Sequence, residues 1–133
     1  MSAIGLHHVQ VACPRGGEDA VRRFYAEGLG LVEVDKPEPL RGRGGLWLRG
    51  HDADGAVIAE LHVGVEEPFA PARKAHPAFV LASPSDLDET GRRLAGLGFE
   101  VDHRERYTFP GYERLHAFDP HGNRVELLAP ADG

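Results

Sequence analysis

Asp119-Pro120-His121-Gly122-Asn123-Arg124-Val125-Glu126-Leu127-Leu128 is the stretch on which the reading of the whole chain turns. Asp-Pro followed by Gly-Asn makes a tight turn, because proline presets φ at one corner and glycine or asparagine accepts positive φ at the other. Strands are therefore expected on both sides, over residues 112–118 and 124–128. In the second, alternation places Val125 and Leu127 on one face and Arg124, Glu126 and Leu128 on the other. Glu126 then lies mid-strand, where a carboxylate is either solvated or turned inward against a partner.

Upstream, the same grammar occurs twice. Leu6 to Ala12 alternates as a strand with His8 and Gln10 opposite Val9 and Val11. Val21, Phe24, Tyr25 and Leu29 then recur at helical spacing, with Glu18 and Asp19 in the first turn and Gly28 and Gly30 as the stop. Leu31 to Val34 is a short strand, and Pro37 and Pro39 break the next segment into a loop. Gly45 to Arg49 is a strand, His51 to Gly55 a hairpin turn, and Ala56 to Gly64 a strand with Ile58, Glu60 and His62 opposite Leu61 and Val63. A connector without period, 65–75, ends at His76, and the order restarts. A strand over 76–81 precedes a helix capped by Ser85, with Leu87, Gly91, Leu94 and Leu97 on one stripe and Gly96 and Gly98 after it. Phe99 to His103 is a strand, and the two strands flanking the Asp-Pro turn complete the set.

The order is βαβββ twice. His8 and His76 are 68 residues apart and Glu60 and Glu126 are 66 apart, so a histidine opens and a glutamate closes each half at nearly one offset. Self-similarity of this kind marks two copies of one supersecondary unit. A helix covers only one face of its sheet. Alternation gives that face Val9, Val11, Leu61 and Val125, which leaves His8, Glu60, His62, His76 and Glu126 on the other. These groups are expected to converge in a cleft if the sheets curl toward each other. His116 shares a face with Arg114 and Phe118 and is expected to line that cleft as an acid/base or an orienting group.

Composition narrows the class of function. The chain has 133 residues, 41% hydrophobic, enough for one compact domain spanning residues 1–133. Its formal net charge of −6, without a Lys/Arg cluster, argues against nucleic acid and anionic membrane as partners and leaves a small molecule or a protein. Cys13 is the only cysteine, which excludes an intrachain disulfide and suits a reducing, cytoplasmic setting. No basic leader and no long apolar run is present. Arg41 to Gly45 lacks the lysine and helix of a phosphate loop, and Asp52-Ala53-Asp54-Gly55 lacks the further ligands of a calcium loop. Tyr107, Phe109 and Tyr112 read as a lid or packing rim, Trp47 as core or interface, and His103 and His121 as solvated.

Together, the His-Val opening strand, Phe24-Tyr25 with the Gly28-Leu29-Gly30-Leu31 stop, and the run Phe118 to Glu126 resemble the vicinal oxygen chelate superfamily. That group includes glyoxalases, thiol transferases of fosfomycin resistance, bleomycin resistance proteins and extradiol dioxygenases. The resemblance covers nearly the whole chain. It implies an α+β fold of two tandem βαβββ modules, about 5–64 and 76–129, whose curved mixed sheets enclose a cleft. It also implies a divalent metal (Ni, Co, Zn, Mn or Fe(II)) held by His8, His76 and Glu126, with Glu60 as fourth ligand or His62 in its place. Glu126, Glu60 and His116 are then the catalytic candidates. The activity implied first is a glyoxalase-type lyase or isomerase acting on vicinal oxygens. A metal-free drug- or metabolite-binding protein of the bleomycin-resistance kind is the alternative, with His8, His76 and Glu126 as a hydrogen-bonded remnant, and an Fe(II) extradiol dioxygenase is a third reading. Open sheet edges and the habit of the family predict a homodimer, with modules pairing either within a chain or across two.

Overall fold

Alternating residues make the strands, and the glycine-ended stripes make the helices. The computed structural model describes residues 1–132. The first half contains β1 (Val9–Cys13), α1 (Glu18–Arg22) running into a π-helical turn (Arg23–Gly28), β2 (Val32–Val34), α2 (Glu38–Arg41), β3 (Leu46–His51) and β4 (Val57–Val65). The second contains β5 (Ala78–Val80), α3 (Pro84–Gly96), β6 (Val101–Asp102), β7 (Tyr112–Phe118) and β8 (Arg124–Pro130). Each half folds into a four-stranded mixed sheet, ordered β1-β4-β3-β2 and β5-β8-β7-β6. In both, the opening strand lies parallel to the closing one and the other pairs are antiparallel. The repeat thus holds at the level of topology.

Apolar side chains from both halves feed one continuous core. Val11, Leu46, Leu48, Leu61 and Val63 of the first sheet and Leu115, Ala117, Val125 and Leu127 of the second join Val21, Phe24 and Tyr25 and Leu87 and Leu94 of the helices. The helices meet directly. The Phe24 and Phe99 rings lie 5.0 Å apart edge to face, and Arg93 Nε donates to the Gly28 carbonyl at 3.0 Å. Gly28 is buried where a Cβ would come within 2.5 Å of Leu94 Cδ2, so the small residue there permits the approach.

Two local expectations are corrected. Pro37 and Pro39 do not leave a plain loop. Proline is tolerated in the first turn of a helix, where its missing N–H has no partner to lose, and α2 starts there. Likewise Ser83, rather than Ser85, caps α3: its Oγ accepts the Asp86 N–H at 3.2 Å, and Pro84 occupies the first helical position.

The turn after β7 forms as its residues dictate, with Gly122 at φ +91°. Asp119 Oδ1 accepts the backbone N–H of His121 (2.9 Å) and of Asn123 (3.0 Å), while Oδ2 accepts the Tyr25 hydroxyl and the Asn123 amide, both at 2.8 Å. Asn123 also donates to Ala12 O at 2.8 Å and accepts from Ala72 N at 2.9 Å. One buried amide therefore ties β1, the connector and β8 together. Burial, with Asp119 beside it, pushes the Tyr25 phenol up. His121 is not solvated as expected: Nε2–H donates to Gly17 O at 3.0 Å and its ring meets Phe69 edge-on, making a further link between halves.

Candidate functional site

Both sheets turn one face to the shared core, and the polar side chains occupy the faces outside it. The sheets are not closed around a single cleft within the chain. In place of the expected convergence there are two separate groups, one per sheet.

On the second sheet, His76 stands just before β5, and Glu126 and His116 face each other across the β7–β8 ladder. One ligand atom from each lies within 4.8 Å of the others, and among the described residues this is the one such cluster of three. His76 Nε2 approaches Glu126 Oε1 at 3.0 Å, and His116 Nε2 lies 3.7 Å from the same oxygen. His76 Nδ1 sits 2.8 Å from the Lys74 carbonyl, an acceptor, so Nδ1 carries a proton. A neutral His76 then points its Nε2 lone pair at a carboxylate lone pair. Only a positive centre between them, a proton or a metal ion, makes that arrangement favourable. The backbone carbonyl behind Nδ1 is also the usual orienting partner of a ligating histidine.

Arginines qualify this donor set. Arg124 Nη2 lies 3.0 Å from His116 Nε2, and since a guanidinium only donates, Nε2 is the acceptor and the His116 proton is on Nδ1. The His116 lone pair is therefore in use. Arg114 Nη1 is 3.5 Å from Glu126 Oε2. Burial pushes the Glu126 carboxyl up, but where the positive centre is a proton on His76 Nε2, its hydrogen bond together with the Arg114 charge outweighs burial and holds the carboxyl below the ordinary range. Burial lowers the His116 imidazole, and the Arg124 charge lowers it further.

On the first sheet, His8 is exposed just before β1 and stacks on the buried His62 ring at 3.9 Å, nearly parallel. Trp47 stacks on His62 with centroids also 3.9 Å apart, so the two must cover opposite faces of the imidazole. Trp47 is thus a stacking platform at the half-buried sheet surface, rather than plain core. His62 Nε2 bonds Glu60 Oε2 at 2.8 Å, and Arg49 Nε donates to Glu60 Oε1 at 2.8 Å. Both Glu60 oxygens are engaged. The His62 hydrogen bond, aided by Arg49, holds the Glu60 carboxyl low, while burial lowers His62. Neither His8 nor Glu60 belongs to the cluster on the second sheet.

Strand register shows which positions correspond. His62 pairs with Gln10 on β1 and Trp47 on β3, whereas Glu126 pairs with Ala78 on β5 and His116 on β7. His8 and His76 each lie two residues before the first of those partners. By register, then, Glu126 corresponds to His62, and Glu60 corresponds to Arg124. The sequence offset alone points to Glu60. The face shared with Glu126 marks Arg114 and Arg124 in the sequence as the arginines able to meet an anionic substrate, whereas Arg73, in the connector without period, carries no such signal.

Acid should lower the stability of the fold over two pH ranges. His62 and His116 are depressed below the ordinary 6.5 in the folded state. The unfolded chain therefore takes up protons first, and stability falls as pH drops below about 6.5. Glu18, Glu60 and Glu126 are depressed below the ordinary 4.5, so their contribution is present above that value and is lost beneath it. Urea unfolding midpoints between pH 8 and 3 check this; a midpoint flat from pH 7 to 5 contradicts the loss in the upper range.

Comparisons with known proteins agree with this layout. The profile of the Glyoxalase/Bleomycin resistance protein/Dioxygenase superfamily matches residues 5–127. A glyoxalase family protein from Bacillus anthracis is 38% identical, with 98% of each chain covered and a TM-score of 0.83. The fosfomycin resistance protein FosX from Listeria monocytogenes shares the fold at 15% identity, with 98% of this chain and 96% of that one covered and a TM-score of 0.73. A glyoxylase/bleomycin resistance protein/dioxygenase domain from Frankia sp. EAN1pec shares it at 23% identity, with coverage of 99% and 96% and a TM-score of 0.69. No curated protein matches the sequence. No helix among the described residues is long and apolar enough to cross a membrane. The chain belongs to the glyoxalase/bleomycin resistance protein/dioxygenase superfamily.

Proposed function

We propose that the chain is a metal-dependent enzyme of glyoxalase type, acting on a small molecule with vicinal oxygens and working in the cytoplasm as a homodimer of two-module chains. The observation that carries this reading is the His76–Glu126 pair. A backbone carbonyl fixes the imidazole proton on Nδ1, and Nε2 and Oε1 are left as facing donors 3.0 Å apart. His76 Nε2 and Glu126 Oε1 would hold a divalent ion, which would supply Lewis-acid polarisation of adjacent substrate oxygens. Glu126 Oε2, directed to Arg114, is the oxygen placed to take or return a proton, and Glu60 is the alternative base. His116, held by Arg124, orients the substrate or supplies a third ligand once Arg124 moves off.

Two donors make a weak site, and a third is needed. His8 is exposed and β1 and β5 are unpaired edges of their sheets, which supports pairing of modules across a two-fold axis. His8 of the partner subunit then completes the set with His76 and Glu126. Light scattering at tens of micromolar should give twice the 14.5 kDa of one chain, and chelation should weaken the dimer on dilution. A stable monomer contradicts the shared site.

The arginines favour one competing reading. Arg114 and Arg124 place positive charge beside Glu126 and His116, which opposes a dication and suits a metal-free binding cleft. Elemental analysis of chelator-free protein, with calorimetric titration of Ni, Co, Zn, Mn and Fe(II), separates the two. Stoichiometric uptake supports the enzyme; no uptake of any ion leaves the binding protein.

A further inference from the structure

We infer that Arg73 and Arg124 form an oxyanion-binding subsite beside His116, so that the small molecule taken by this protein carries a carboxylate or phosphate group. The inference rests on the proposed function only for the placement of the substrate. A cavity of about 330 Å³ lies next to the His76, His116 and Glu126 cluster, lined by Arg73, Arg104, Arg124, His116 and Phe118 together with Asp102 and Glu105.

The acids in this cavity are already matched. Asp102 accepts from Arg104 at 2.6–3.0 Å, and Glu105 accepts from the Thr108 hydroxyl with Arg114 3.8 Å away. Arg73 and Arg124 have no such partner. Among the described residues no carboxylate comes within 4.0 Å of either, although the chain holds 21 acids to 15 bases. Arg73 rests its guanidinium 5.2 Å over the Phe118 ring, and Arg124 spends one N–H on His116. Each keeps further N–H donors, and Arg73 remains exposed.

The other half of the repeat shows what a self-contained version looks like. At the position of Arg124 it carries Glu60, neutralised by Arg49 across the ladder; the matching pair in the second half is Arg124 and Phe118. The carboxylate that closes the circuit in one module is missing from the other. Guanidinium groups bind carboxylate and phosphate oxygens by paired, charge-assisted hydrogen bonds, so a ligand oxyanion fits the vacancy in charge and in donors.

The test is calorimetric titration of inorganic phosphate and of acetate into the full chain, with and without prior chelation. Saturable binding to the chelated protein is expected, weakened at least about tenfold in Arg124→Gln and about threefold in Arg73→Gln, with Arg92→Gln on the exposed face of α3 unchanged. Whichever anion binds more tightly names the group. Arg73 is exposed, so its variant keeps the fold even if Arg124→Gln does not. The subsite is wrong if neither anion saturates, or if binding needs added metal and ignores both arginine variants. That second outcome would leave the metal reading standing, whereas anion binding without metal uptake would overturn the metal reading and keep the subsite.

Discussion

Glu126→Gln is expected to lower divalent-ion affinity by at least about 100-fold, because it removes the one charged donor facing His76 Nε2, a loss at least as large as that of an orienting partner. The amide keeps the shape, so the fold should survive. Glu60→Gln should cost far less, since Arg49 and His62 already hold both of its oxygens. Calorimetric titration of Zn or Ni into both variants decides the matter. Equal losses would make Glu60 a true fourth ligand, and no loss in either would remove the metal from this site.

Asn123→Ala should have the largest effect on stability. The amide is 1% exposed and makes three hydrogen bonds, one to Ala12 of the first half, one to Ala72 of the connector and one to Asp119 of its own turn. Truncation leaves the half-buried Ala12 carbonyl of β1 and Ala72 N–H of the connector without their partner, at ~1–3 kcal/mol for each unsatisfied group. A loss of about 3 kcal/mol or more is expected in urea unfolding. A loss below about 1 kcal/mol would show that water replaces the amide. Asn123→Asp should recover little, because a carboxylate cannot donate to Ala12 O and would face Asp119.

Much of this was legible in the sequence. The Asp-Pro-x-Gly-Asn turn, the period-two strands and the paired glycine stops encode topology locally, and the topology followed from them. The face turned away from the core was also readable, since alternation placed His8, Glu60, His62 and Glu126 opposite the apolar residues. The assignment of His76 with Glu126 depended on the repeat and on the family resemblance, and the geometry adds the His76 tautomer. Less local features stayed hidden. Whether one cleft forms depends on how the two halves dock, and docking is set by long-range contacts such as Gly28 against Leu94. The link from His121 to Gly17 spans 104 residues and leaves no trace in local pattern. The freedom of Arg124 is a property of what is absent around it, and no motif records that.

The two-residue slip between the halves has a consequence for how the gene tolerates length changes. Along β4, Glu60 and His62 point the same way, so an insertion or deletion of two residues feeding that strand exchanges one for the other and leaves Leu61 and Val63 facing the core. A single-residue change would swing both leucine and valine outward and drive the acid and the imidazole inward. Drift by even steps would therefore be silent to folding while it rewrote the chemistry of the outer face, and a step of that size is enough to put a stacked imidazole in one half where the other has a carboxylate.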